Sequence, residues 1–205
     1  MQITTRLPES DPHLDAALTR DGWKRVRDPG TLAAIMLASL PFRAANAAAT
    51  IAVASLFAPL DPTHYGFSQG SFALLVSLPA LAGVAGLLVL HECLHLVCIP
   101  RFLRSEKTYA GITWVGGFVA TGEVLGRNRF IAVSIAPFLV ISLGLPFVLG
   151  SIGWLHPFSI ALVLLNALAS SVASLTAVLA LSQVPADACI VSSGMTTYWR
   201  QGSSA

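Results

Sequence analysis

His91-Glu92-Cys93-Leu94-His95 is the stretch that decides how this chain is organised, and it lies late in an apolar run, residues 72–100. On a helix, positions i and i+4 share a face, so His91 and His95 can turn their imidazoles toward one metal ion. Glu92 lies about 100° around the helix from His91, within reach of a water activated by that ion. The pattern predicts a zinc site with His91 and His95 as ligands and Glu92 as the catalytic base.

The same five residues allow a second interpretation without a metal. In it, the histidines are core residues bonded to backbone groups, and Glu92 extends toward solvent. Ionisable side chains are costly inside an apolar helix and usually mark functional positions there. Because three of them occur together, the metal site is the favoured interpretation.

The composition indicates an integral membrane protein. Of 205 residues, 55% are hydrophobic and 11% are charged, and the mean hydropathy is +0.73. Soluble domains carry about 25% charged residues. We therefore expect an all-α membrane protein with about four transmembrane helices. The net charge of +2, without a basic aromatic-rich patch, argues against nucleic acid, and the three cysteines suggest no disulfide framework.

Apolar runs and polar breaks define the predicted order along the chain. A polar segment of mixed charge, residues 1–30, comes first and does not resemble a signal peptide. A polytopic, metalloprotease-like membrane domain at 31–183 and a polar tail at 184–205 follow. The predicted membrane helices cover residues 44–60, 72–100, 130–150 and 158–182. Residues 31–41 either extend the first helix through a kink or lie in the membrane interface.

Prolines and glycines predict local features of these helices. Pro79 is expected to kink the second helix, and Pro137 and Pro146 the third. Gly83 and Gly86 are expected to let a neighbouring helix approach closely. Near the N-terminus, Trp23 is expected either at the membrane interface or in a solvated tail.

The loop between the second and third helices contains a predicted β-hairpin. Residues 108–115 and 118–123 are rich in β-branched and aromatic residues, and Gly116-Gly117 between them is a two-residue turn signal. An exposed edge of this hairpin could take an extended peptide as an added strand. The alternative is an irregular loop, because the run is short and rich in glycine.

The distribution of Lys and Arg predicts the orientation in the membrane. Residues 1–30 carry five, residues 101–130 carry five and the tail carries one, whereas the two opposite loops carry none. The positive-inside rule then puts both termini and the hairpin in the cytoplasm.

Weaker motifs follow the histidine pair in a defined order. They are Tyr109-Ala110-Gly111, Arg127-Asn128-Arg129-Phe130, Ala136-Pro137, Asn166 with Ser170-Ser171, and Pro185-Ala186-Asp187-Ala188. Together with H-E-x-x-H, this order resembles the zincin-type integral membrane peptidases, small bacterial and archaeal proteins related to the site-2 proteases. The resemblance covers about residues 80–200. It implies a zinc-dependent peptidase in a bacterial or archaeal plasma membrane.

One position departs from the pattern of that family. The resemblance implies an Asp on the last helix as third zinc ligand, but Ala173 and Ser174 stand there. Two histidines alone would hold zinc more weakly and orient it less well. The alternative ligands are all weak, because each is distant, on the same helix as the histidine pair, or a poor zinc donor: Glu123, Asp187, Cys98 and Ser174.

Two function hypotheses follow from these residues. The first is an intramembrane zinc metalloprotease that hydrolyses peptide bonds in membrane-embedded or membrane-adjacent substrates. The second is a pseudoprotease or metal-binding membrane scaffold with the same fold, which the missing Asp supports. The expected partners are membrane lipid and a membrane protein or peptide, and the expected cofactor is zinc.

Overall fold

A computed structural model of the chain describes residues 1–6, 8–65, 67–68, 71–72, 77–113 and 116–202. A π-helical stretch, Phe138–Gly144, joins two of its helices. The α-helices are α1 Pro12–Arg20, α2 Leu32–Ala38, α3 Leu40–Ser55, α4 Leu78–Cys98, α5 Arg127–Pro137, α6 Leu145–Ser151, α7 Pro157–Ala169 and α8 Ser171–Gln183.

The apolar helices match the predicted spans in part. Within the described residues, two helical segments are long and apolar enough to cross a membrane, Leu78–Cys98 and Arg127–Ser151. Two bent pairs, α2 with α3 and α7 with α8, pass the same test together. The described chain therefore has two candidate spans, or up to four if each bent pair is one span.

The prediction of a kink at Pro79 is wrong. Helix α4 begins at Leu78, so Pro79 lies in the first turn, where a missing N–H removes no helical hydrogen bond. Residues 73–76, near the start of the predicted span, lie outside the described residues. Between Pro137 and Pro146 the third span continues as the π-helical stretch rather than as an α-helix.

The description of the fold as all-α is also wrong, because strands pair the terminal segments with the central loop. The strands are β1 Gln2–Ile3, β2 Lys24–Arg25, β3 Phe67–Ser68, β4 Ser71–Phe72, β5 Thr108–Thr113, β6 Gly116–Thr121, β7 Leu125–Gly126, β8 Ala188–Ser193 and β9 Thr196–Gln201. They form sheets of order β1-β5-β6, β2-β9-β8-β7 and β3-β4. All pairs are antiparallel except β1 with β5, which is parallel.

The predicted hairpin is present, but its turn is displaced. Strands β5 and β6 pair from Thr108↔Thr121 to Thr113↔Gly116. Gly116 and Gly117 therefore belong to β6 and do not form the turn, and residues 114 and 115 lie outside the described residues. The reason for a glycine at 117 is a close neighbour, which belongs to the candidate site.

The chain divides into two compact units. Unit 1 comprises Met1–Ser39, Glu92–Ala136 and Val172–Ala205. One of its core clusters joins Leu18 and Trp23 to residues of the C-terminal hairpin β8–β9. Trp23 is 9% exposed and stacks under the Arg200 guanidinium, 4.9 Å from the ring centroid, so it is a core residue of this unit.

Unit 2 comprises Leu40–His91 and Pro137–Ser171 and is mainly helical. Its interior contains apolar side chains such as Ile141 and Ile160, each 1% exposed, and an unusual number of polar ones. Buried polar groups are stable only when hydrogen-bonded. The buried polar residues of this unit are Asn46, Thr50, Ser142, Asn166, Ser170 and Ser171.

Candidate metal centre

Helix α4 carries the complete H-E-x-x-H motif without a break. His91 and His95 are one turn apart and share a face of the helix, and Glu92 is adjacent to His91. All three side chains are partly buried. The structure thus places the three predicted site residues on one regular helix, as the spacing required.

The ring of His91 is oriented by a buried amide. His91 Nδ1 lies 2.7 Å from Oδ1 of Asn166 on α7. The Asn166 side chain is 1% exposed, so every one of its polar atoms needs a partner. This contact gives Asn166 a role that the sequence did not assign to it.

Two acceptors fix which way the Asn166 amide points. Its Nδ2 donates to the carbonyl of Pro137 at 3.0 Å and to Oγ of Ser142 at 2.8 Å. The Ser142 hydroxyl donates onward to the carbonyl of Val163 at 3.0 Å, so its oxygen is the acceptor in the first bond. The amide oxygen of Asn166 must then face His91, which carries its proton on Nδ1 and its lone pair on Nε2.

His95 is held in the same tautomer by a backbone carbonyl. Its Nδ1 lies 2.6 Å from the carbonyl oxygen of Val133 on α5. A carbonyl only accepts, so Nδ1 of His95 carries the proton and Nε2 carries the lone pair. Residue 137, four positions after Val133, is a proline and has no N–H to give to that carbonyl. The proline therefore leaves the Val133 carbonyl available to His95.

Glu92 faces the hairpin. A Cβ atom at position 117 would lie 2.7 Å from Oε1, 2.9 Å from Cγ and 3.0 Å from Cδ of Glu92. A side chain at this point of β6 would force the carboxylate to move from its present position. Oε2 of Glu92 is buried and has no hydrogen-bond partner among the described residues. The carboxylate is therefore not directed toward solvent, unlike in the interpretation without a metal, whereas the bond from His95 to a backbone carbonyl is common to both interpretations.

The base of the hairpin is fixed by a network of hydroxyl groups. Ser105 Oγ donates to Glu123 Oε1 at 2.6 Å, and Thr108 Oγ1 lies 3.0 Å from both Ser105 Oγ and Thr121 Oγ1. The Glu123 amide donates to Thr121 Oγ1 at 3.2 Å. Glu123 closes the hairpin in this way and does not fold back as a metal ligand.

The other proposed third ligands do not complete a metal site among the described residues either. Among the described residues, no group of three or more His, Cys, Asp or Glu side chains could hold a metal ion. Asp187 is exposed in the turn before β8, and Cys98 is the last residue of α4. Ser174, on α8, is 6% exposed, and its hydroxyl is not one of these four ligand types.

The residues present fit zinc as a two-histidine site. Two Nε2 lone pairs on one helix face are the donors zinc prefers, and a partner on each Nδ1 is the usual support for a ligating imidazole. Glu92, next to this pair with an unpartnered Oε2, matches the acid–base group of a metallopeptidase. The donor set is incomplete by one protein ligand among the described residues.

Comparison with known proteins agrees with this chemistry. A family model described as "Putative zincin peptidase" matches residues 84–189, more than half of the chain. The chain belongs to this family. The matched range contains the histidine pair of α4, the hairpin and Asn166. No curated protein and no solved structure matches the chain.

Membership in this family indicates the metallopeptidase class and implies zinc as the metal. Zincins are metal-dependent peptidases whose histidines lie in H-E-x-x-H on a helix. This agrees with the predicted metalloprotease class and cofactor at the level of the family.

Proposed function

We propose that this protein is an intramembrane zinc metallopeptidase that cuts peptide bonds in membrane-embedded or membrane-adjacent substrates. The observation that carries the proposal is the shared tautomer of His91 and His95. Asn166 and Val133 hold the two Nδ1 atoms at 2.7 and 2.6 Å, so in each ring Nε2 is the nitrogen that carries the lone pair, as a zinc ligand requires.

A membrane location is supported by the surface of α4. The helix has 21 residues and an expected length of about 31 Å, which equals the hydrocarbon thickness of a bilayer. Apolar side chains on this helix are open to the surroundings: Leu81 is 56%, Val89 59% and Val97 70% exposed. Such a surface is stable in lipid and unfavourable in water. The distribution of Lys and Arg favours an orientation with both termini in the cytoplasm, and the family resemblance favours a bacterial or archaeal plasma membrane.

The proposed mechanism assigns one task to each side chain. His91 and His95 would hold zinc through Nε2, and zinc supplies a Lewis acid that polarises the scissile carbonyl and activates water. Glu92 takes a proton from the attacking water at Oε2 and gives it to the leaving amine when the C–N bond breaks. Asn166 and Val133 keep the imidazoles in the orientation that this requires.

The hairpin is the proposed holder of the substrate. Strand β6 pairs only with β5 among the described residues, so its other edge can pair with an extended peptide. Peptidases need an extended substrate because that conformation exposes the amide to attack. Glu92 contacts the same strand at Gly117, so a peptide on this edge would pass the carboxylate.

Zinc content and cleavage together test the proposal. The purified protein in detergent is compared with Glu92→Gln, His95→Ala and, as a matched histidine control, His156→Ala, whose side chain is exposed. We expect about one zinc per chain in the wild type, Glu92→Gln and His156→Ala, and none in His95→Ala. Only the wild type and His156→Ala are expected to cut a panel of quenched transmembrane peptides.

The second candidate is a metal-binding membrane scaffold without peptidase activity. It is supported by Ala173 and Ser174, which stand where the resemblance implied an Asp, and by the lack of a third His, Cys, Asp or Glu ligand in the described chain. A wild type that holds zinc yet cuts none of the peptides would favour this candidate. A wild type that binds no zinc from a metal buffer would contradict the peptidase and the metal-binding scaffold, and would favour a pseudoprotease that has lost its metal.

A further inference from the structure

The space that holds the Glu92 carboxylate is created by the absence of a side chain at residue 117. Three atoms of Glu92, namely Oε1, Cγ and Cδ, lie within 3.0 Å of the point where a Cβ of residue 117 would be. Real Cβ atoms keep larger distances from their neighbours. A methyl group at this point and the present position of Glu92 therefore exclude one another.

Backbone conformation does not explain this glycine. Gly117 is paired with Ile112 inside a regular antiparallel ladder, and it is not one of the described glycines with positive φ. Glycine weakens a strand, because it loses much conformational entropy and packs no side chain. A glycine inside a strand then marks a close approach by another group. That group is Glu92.

Strand β6 is paired with β5 along its length, so the end of the Glu92 side chain is the part that gives way most readily. The ladder runs over six residue pairs between Thr108↔Thr121 and Thr113↔Gly116. Its base is closed by the hydroxyl network of Ser105, Thr108 and Thr121 with Glu123. Sliding β6 would break these bonds, whereas the end of a Glu side chain moves by rotation about its χ angles.

We infer that Gly117 is a positioning residue for Glu92: the strand position without a side chain sets where the carboxylate lies beside the two histidines. Its catalytic consequence rests on the proposed function, whereas the contact itself does not. The hairpin then has two tasks, since the strand proposed to hold the peptide also places the group that moves the proton.

A thermodynamic cycle in metal-free protein tests the contact without any use of activity. Melting temperatures are measured in detergent for the wild type, Gly117→Ala, Glu92→Ala and the double variant. Gly117→Ala is expected to lower the melting temperature by about 2–4 °C in the wild-type background. In the Glu92→Ala background the same change is expected to have little effect, because the methyl group then has room. Gly126→Ala in β7 is the matched control, with no atom within 4 Å of its added Cβ.

Zinc content and kinetics test the consequence. Gly117→Ala is expected to hold as much zinc as the wild type, because neither histidine is touched. Its kcat is expected to fall about a hundredfold, because a catalytic group displaced by about 1 Å loses about that factor in rate. Its KM is expected to change little. Equal destabilisation by Gly117→Ala in both backgrounds would overturn the inference. So would unaltered kcat in a wild-type enzyme that cuts peptides. A cycle that shows coupling in a protein without cleavage would instead contradict the proposed function and leave the contact standing.

Discussion

The carbonyl oxygen of Val133 accepts a hydrogen bond from Nδ1 of His95 at 2.6 Å. In a regular helix this oxygen would accept the N–H of residue 137, but that residue is proline. The proline therefore influences the candidate metal site indirectly, by freeing this carbonyl for His95. In membrane helices, neighbouring side chains commonly satisfy carbonyls that a proline has freed, and here the neighbour is a candidate ligand.

Replacing Pro137 is expected to weaken zinc binding. Pro137→Ala restores an N–H that competes with His95 for the Val133 carbonyl, so the imidazole is held less firmly. We expect the zinc dissociation constant to rise about tenfold. This is the lower end of the change in affinity that follows the loss of a partner orienting a ligand. Competition with a chromophoric chelator measures it. Pro146→Ala is the control, because Pro146 is equally buried and lies on the same span but frees no carbonyl that a candidate ligand uses. Equal losses in both variants would contradict this role.

Removing the amide of Asn166 is expected to cost both affinity and stability. Asn166→Ala takes away the acceptor for His91 and leaves the Pro137 carbonyl without this donor. The zinc dissociation constant should rise about 10- to 100-fold. Stability should fall by about 1–3 kcal/mol, because buried polar groups lose their partners. Thr50→Val, which deletes a fully buried hydroxyl bonded to Asn46, should lower stability and leave zinc affinity unchanged.

A packing prediction concerns Gly150 on α6. An added Cβ there would overlap the Cβ and ring of Phe57, which makes an edge-to-face contact with Phe147 at 5.5 Å. Gly150→Ala is expected to destabilise the protein by about 1–3 kcal/mol through overpacking. Gly86→Ala on α4 has no atom within 4 Å of its added Cβ and should gain up to about 1 kcal/mol from helix propensity. Thermal unfolding in detergent measures both, and a gain at Gly150 would contradict the packing described.

The N-terminal segment is expected to contribute to folding through Trp23. Trp23→Ala empties part of a cluster with Leu18 and Tyr198 and removes the ring under Arg200. We expect a loss of about 3–5 kcal/mol, typical of a buried aromatic residue. The control is Trp154→Ala, since Trp154 is 67% exposed and should change stability by less than about 0.5 kcal/mol. Similar losses at both tryptophans would argue against the buried cluster.

Much of the fold could be predicted from the sequence, because helices and hairpins have local signals. Asp11 before Pro12 is a helix-start signal in the sequence, and at the start of α1 the Asp11 carboxylate accepts the His13 amide at 2.9 Å. The β-branched runs predicted β5 and β6. The sheet β2-β9-β8-β7 was missed for a physical reason. Two of its strands have two residues each, and both pair with segments far away in the sequence, β2 with β9 and β7 with β8.

The sequence singled out the candidate ligands but not the residues that contact and orient them. H-E-x-x-H is a local pattern on one helix, so His91, Glu92 and His95 could be chosen from spacing alone. Asn166 and Gly117 are 75 and 25 positions from their partners, and no periodicity connects them. Pro137 did carry a usable signal, because a proline within a membrane helix always leaves the carbonyl four residues earlier available. Gly116-Gly117 was misread as a turn, because glycine pairs occur more often in turns than at strand positions where another side chain packs against the backbone.

The two glycines at the beginning of β6 also set how readily that end of the hairpin opens. Gly116, with φ of 134°, and Gly117 contribute no side chains to this end, where Thr113 Oγ1 donates to the Gly116 carbonyl at 3.1 Å. The opposite end is closed by several hydroxyl groups and Glu123, so we expect local opening to begin at the end beside Glu92. Amide hydrogen exchange at Gly117 should accordingly be faster than at Thr108 or Thr121. In the proposed function, such opening would give an extended peptide access to the carboxylate from that end of the strand.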